Sequence, residues 1–196
     1  MKFIFGGIPD NSDFNPESEN WTAIKEPSPW IAQLIGIPVA FLAIILLVIF
    51  WYFFAPVRNF KIDIGFETIF WIIGIGIIHE LIHAVFHPGC GISSNTYLGF
   101  WPSKLVLYAH YHSILSKYRF MAILISPFIF LSIVPLIVCS ILHYSSTELC
   151  MISLFNALLA CVDILGFFLI LFGVPSDSFV QNKGWKTYYK SAEQMH

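Results

Sequence analysis

Charge is scarce in this sequence. Only 11% of its 196 residues are Asp, Glu, Lys or Arg, whereas 57% are hydrophobic. Soluble globular domains carry about 25% charged and roughly 45–50% apolar residues. Ten basic and 12 acidic side chains are too few to keep the surface of such a chain wet. A soluble globular enzyme and a disordered tail are excluded on that ground. So few charges also argue against a nucleic-acid binder, which would need a basic patch, and the formal net charge of −2 carries no implication about partners. Cysteine is scarce too. Cys90, Cys139, Cys150 and Cys161 show no CxxC spacing, so neither a disulfide framework nor a thiolate zinc site is expected. Repeats and low-complexity tracts are missing.

What the sequence does have is long apolar runs. A helix needs about 20 apolar residues to cross roughly 30 Å of hydrocarbon, and residues 31–54, 64–86, 120–142 and 149–172 qualify. Thirty mostly polar residues precede the first run, so it is not read as a signal peptide. Lipid offers the backbone no partners, so all four are expected to be helices. Local kinks are expected at Pro38, Pro127 and Pro135. In the 87–119 loop, aromatic and β-branched residues flank Pro102-Ser103-Lys104, which points to a hairpin of 96–101 and 105–110 lying against the membrane or dipping into it. The expected fold class is an all-α membrane protein: a four-transmembrane-helix bundle with a small β-hairpin between helices 2 and 3. It divides into a polar N-terminal segment 1–30, a four-span membrane domain 31–175 and a cytoplasmic tail 176–196.

Four spans put both termini and the 87–119 loop on one side. Lys2, Lys25, Lys104, Lys117, Arg119, Lys183, Lys186 and Lys190 fall there, against Arg58 and Lys61 on the other. The positive-inside rule then places both termini in the cytoplasm, and the expected location is the cell membrane. Asp10, Asp13, Glu17, Glu19 and Glu26 read as a solvated acidic face, and the tail lysines as lying near anionic lipid.

Few ionisable residues lie within the runs: Glu67, His79, Glu80 and His83 in the second, and Asp163 in the fourth. Such groups are costly in a bilayer and mark function by default. His79-Glu80-Leu81-Ile82-His83 is an HExxH motif, which composition alone would produce with a chance on the order of 1%. Residues i and i+4 share a helix face, so both imidazoles reach one ion. The adjacent carboxylate is placed to hold a water beside the ion and take its proton.

A catalytic zinc has three protein ligands. His87 is eight residues from His79, about 12 Å along a straight helix, too far to share an ion. It reads as a snorkelling interfacial histidine, and His110 and His112 as solvated or hairpin residues. Asp163 suits better, because its depth in the fourth span matches that of His79 and His83 within about 3–9 Å. Asn156 lies two turns before Asp163 on the same face. It is either a substrate-binding residue, bonding the peptide backbone or an oxyanion, or an interhelical polar contact.

HELIH on one span, Ser126-Pro127 on the next, then Asn156 and Asp163 on a later one resemble a small family of membrane zincin peptidases catalogued as a domain of unknown function. The likeness to site-2 proteases is more distant, since Ile164 follows Asp163 where those proteins have glycine, and no proline separates Asn156 from Asp163. The resemblance covers a metalloprotease-like core at 62–175. It implies zinc on His79, His83 and Asp163, Glu80 as general base, and a hairpin that presents an edge strand to substrate. The partners it implies are membrane lipid and a peptide or transmembrane protein substrate. The alternative is a non-catalytic metal-binding membrane protein of pseudoprotease, immunity or transporter-like type.

Overall fold

The computed structural model describes residues 1–55, 65–144 and 146–195. Arg58, Lys61 and the expected start of the second span at residue 64 lie outside the described residues. In chain order the elements are β1 (Lys2–Phe5), β2 (Thr22–Ala23), α1 (Pro29–Phe54), α2 (Phe66–Phe86), β3 (Thr96–Trp101), β4 (Val106–Tyr111), β5 (Leu115–Ser116), α3 (Lys117–Pro127), α4 (Val134–Ile141), α5 (Thr147–Leu159), α6 (Cys161–Gly173), β6 (Ser178–Lys183) and β7 (Lys186–Ser191).

Helices dominate, and three stretches are long and apolar enough to cross a membrane: α1, α2 and the continuous Lys117–Ile141. A fourth exists if α5 and α6, bent by 56° at their junction, count as one span. Two prolines shape the third stretch. Pro127 closes α3, Pro135 opens α4, and a π-helical turn, Phe128–Ile133, joins them. Wide turns of this kind leave main-chain carbonyls without their usual i+4 partner.

The all-α expectation is incomplete, because the chain also builds two small sheets. In one, β1 runs parallel to β3, and β3 pairs antiparallel with β4. Leu105 adopts a left-handed backbone (φ 53°), so β4 begins at Val106 rather than at residue 105. Strand β4 is one edge of this sheet, β1 the other, and β4 packs on α2. The other sheet has the order β2-β7-β6-β5.

α1 packs on α5 and α6. Its Leu47 and Trp51 join Leu136, Cys139, Cys150 and Ala157 in a buried cluster, where the Trp51 indole donates to Ser153 Oγ. Higher up, a Cβ on Gly36 would lie 2.8 Å from Cys161 Sγ. Glycine therefore lets α1 approach the first turn of α6, the turn that carries Asp163. At the other end of α2, Gly91 has φ +75°, and a Cβ there would meet the Ala84 carbonyl oxygen at 2.5 Å. That close return folds the loop back onto the helix.

The terminal segments are more ordered than a solvated arm and tail. Phe14 and Trp21 are buried edge to face, and Tyr188 of β7 meets Phe14. Glu26 is not part of an exposed acidic face: its carboxylate accepts from the backbone N–H and the hydroxyl of Thr187, and the Trp185 indole donates to the Pro27 carbonyl. Burial pushes the Glu26 carboxyl up to about 7. A carboxyl raised on folding stabilises most below its unfolded pKa, and that stability is lost as pH rises through the folded value. The melting temperature of wild type is therefore expected to fall relative to Glu26→Gln as pH rises from about 5 to about 8. Differential scanning fluorimetry of both proteins checks this, and parallel curves would remove Glu26 as the titrating clasp.

Candidate metal centre

His79 and His83 sit one turn apart on the buried face of α2. Asp163 stands in the first turn of α6, just past the bend. A carboxylate there faces the positive end of the helix dipole. The bend thus turns the N-terminus of a short helix, and its acid, toward two imidazoles. His79 Nε2 lies 2.9 Å from Asp163 Oδ2, His83 Nε2 3.5 Å from the same oxygen, and the two Nε2 atoms 3.2 Å apart. His79 and His83 are almost fully buried, and the Asp163 side chain keeps 21% exposure.

The distal nitrogens settle the tautomers. His79 Nδ1–H donates to Asn156 Oδ1 at 2.8 Å, and His83 Nδ1–H to the Ile123 carbonyl at 2.7 Å. Both acceptors carry only lone pairs, so each Nδ1 holds the proton and each Nε2 turns a lone pair inward. The Ile123 carbonyl is available for a specific reason. Its helical partner would be the N–H of residue 127, and proline has none; Ser126 Oγ and His83 use the oxygen instead. Asn156 is 0% exposed, and its amide nitrogen donates to the Pro127 carbonyl at 3.0 Å and to Ser132 Oγ at 2.9 Å. With both ends engaged, Asn156 orients His79 across the helix interface. This placement favours the interhelical role over substrate contact.

Two inward lone pairs and a carboxylate at this spacing call for a cation between them. Tetrahedral zinc with bonds of roughly 2.0–2.1 Å sets its ligand atoms about 3.4 Å apart. The three observed separations, 2.9 to 3.5 Å, bracket that value. Two nitrogens and one oxygen also match the donor set of an open zinc site. Among the described residues this is the one group of three or more His, Cys, Asp or Glu able to hold a metal. Replacing Asn156 with Leu is expected to weaken zinc binding roughly 10–100-fold, the usual cost of losing a supporting partner. Titration against a competing chelator measures it, and unchanged affinity would mean His79 needs no such support.

Glu80 is part-buried and lies in the wall shared by two hollows. One, a cavity of about 600 Å³, also contains the three metal-ligand candidates. The other, a groove of about 460 Å³, opens between the β1–β3–β4 sheet and the outer face of α2. The Glu80 side chain lies near the backbone of Ala109 in β4.

His87 departs from expectation: it is 1% exposed rather than snorkelling, with its ring against Tyr111. His110 is a hairpin residue, in β4, and is 5% exposed. His112 is the part-exposed one, bonded to the Pro9 carbonyl.

An HExxH helix with a third ligand from a separate helix and an open fourth position defines the zincin class of metallopeptidases. The chain belongs to the family described as "Putative zincin peptidase", whose model matches residues 72–179, more than half of its length. No curated protein and no solved structure matches it.

Proposed function

We propose that this chain is a membrane-embedded zinc metallopeptidase that hydrolyses peptide bonds in or near the bilayer. The observation that carries the reading is the convergence of His79 Nε2, His83 Nε2 and Asp163 Oδ2 beside Glu80, with both distal imidazole nitrogens pinned. Embedding is supported by the outer faces of α1 and α2, where Phe41, Ile45 and Trp71 are 64%, 55% and 57% exposed. Apolar exposure on that scale suits lipid rather than water. The location is the cell membrane with both termini cytoplasmic, and the partners are lipid and a peptide or transmembrane protein substrate.

His79, His83 and Asp163 would hold zinc, which supplies polarisation of the scissile carbonyl and acidification of a water. Glu80 takes a proton from the attacking water and returns it to the leaving amine nitrogen. Asn156 and the Ile123 carbonyl keep the two imidazoles in the ligating tautomer. Glu80 lies beside the Ala109 backbone of β4. A substrate helix hides its carbonyls, so the segment must first be drawn out, and an added strand along β4 holds it extended. The groove lined by Ile77, Leu81 and Phe100 reaches Glu80 from the apolar side and gives such a segment a way in.

The test compares membrane proteomes of cells carrying wild type and Glu80→Gln. A protein that accumulates intact only in the variant identifies activity and target together. Identical proteomes, with zinc bound in both proteins, would favour a non-catalytic metal-binding role.

A further inference from the structure

Among the described residues, five buried side-chain polar atoms lack a partner: His87 Nδ1, Thr96 Oγ1, His110 Nε2, Ser178 Oγ and Asn182 Oδ1. His79, His83, Asn156, Ser126, Ser132 and Ser153 all spend their polar atoms on named partners. His87 Nδ1 and His110 Nε2 are buried and have none. Leaving a buried polar atom unpaired costs about 1–3 kcal/mol, so each of these two nitrogens is short of a partner. Both residues line the cavity that holds the metal-ligand candidates. They come from different walls, the end of α2 and strand β4.

Accepting the peptidase reading above, we propose that His87 and His110 form a side-chain pocket beside the metal centre that takes a polar, uncharged residue of the bound peptide, one bearing a hydroxyl or a carboxamide. The spacing agrees. His87 follows His83 by one helical turn, about 6 Å along α2, and side chains on one face of an extended peptide recur about every 6.6 Å. The pocket therefore receives a residue close to the cleaved bond.

The chemistry narrows the class. Burial lowers His87 to about 4 and His110 to about 3, so both are neutral at pH 7. A neutral imidazole offers one N–H and one lone pair. A hydroxyl or carboxamide, itself both donor and acceptor, pairs with both. An aliphatic side chain pairs with neither. A carboxylate would enter a cavity that already contains Glu80 and Asp163. A cation would meet the field of Arg119, whose guanidinium bonds the Phe86 and His87 carbonyls.

Peptide hydroxamates test this on the full chain, purified in detergent and loaded with zinc. Two series extend in opposite directions from the hydroxamate, with Gln, Ser, Leu or Glu at the variable position and apolar flanks. Binding is read by calorimetry. The expected result is that Gln and Ser bind about tenfold tighter than Leu or Glu in one series. In His87→Phe and His110→Phe that preference disappears while the Leu compound keeps its affinity. The zinc content of both variants should equal wild type, and their melting temperatures should hold or rise, because no protein hydrogen bond is lost. If a variant fails to fold, His110→Gln, which keeps a donor and an acceptor, should retain the preference. Hydroxamates that bind without side-chain preference would overturn the pocket and leave the metal site standing. Hydroxamates that bind nowhere would overturn both.

Discussion

Glu80→Gln is expected to retain zinc and lose hydrolysis. The carboxylate lies outside the cluster of ligand atoms, so the amide leaves two imidazoles and Asp163 in place. It removes the carboxylate proposed to take a proton from water. General-base catalysis contributes roughly 10²–10⁴ in rate, and a loss of at least that size should appear in kcat. Inductively coupled plasma mass spectrometry of the purified variant gives the zinc content, and cleavage of a substrate recovered from cells gives the rate. Full activity in this variant would remove Glu80 as the base. Loss of zinc along with activity would instead make it a ligand.

Asp163→Asn should have the opposite signature: zinc is lost, and activity with it. The substitution conserves shape but removes the anionic donor and leaves two neutral imidazoles for a dication. Affinity should fall by more than the roughly 10–100-fold expected when a supporting partner is lost. The variant should still fold, because Asp163 lies at the first turn of α6 rather than in its packed interior. Circular dichroism checks the fold and a chelator competition checks the metal. Tight zinc binding by this variant would leave the third ligand to another group.

The motif and the grouping of Asp163 with it were legible in the sequence because the chain is so poor in charge. With few ionisable residues in the apolar runs, His79, Glu80, His83 and Asp163 stand out, and their depths along the runs already agree. The helices were legible for the same reason: runs of this length in lipid leave the backbone no other option. The small sheets were less so. β3 and β4 carry aromatic and β-branched residues, but, apart from the local β6–β7 hairpin around Gly184-Trp185, the added strands β1 and β2 gain their strand character from pairings between distant segments, Lys2 with Tyr97 and Thr22 with Tyr189. Periodicity cannot report a partner that far along the chain. The support for His83 was half visible. Pro127 could be read as a kink, yet the carbonyl it frees at Ile123 gains meaning only when α2 packs beside α3. The break at Ala160, which aims the first turn of α6 at the histidines, has neither proline nor glycine to announce it.

X-ray absorption spectroscopy at the zinc edge, on the full chain purified with its metal, tests the central claim most directly. The account predicts one zinc per chain with four light-atom neighbours at about 2.0–2.2 Å. Imidazole scattering should correspond to two histidines and fall by half in His83→Ala, and sulfur should be absent. A sulfur shell near 2.3 Å, or imidazole scattering unchanged in that variant, would contradict it.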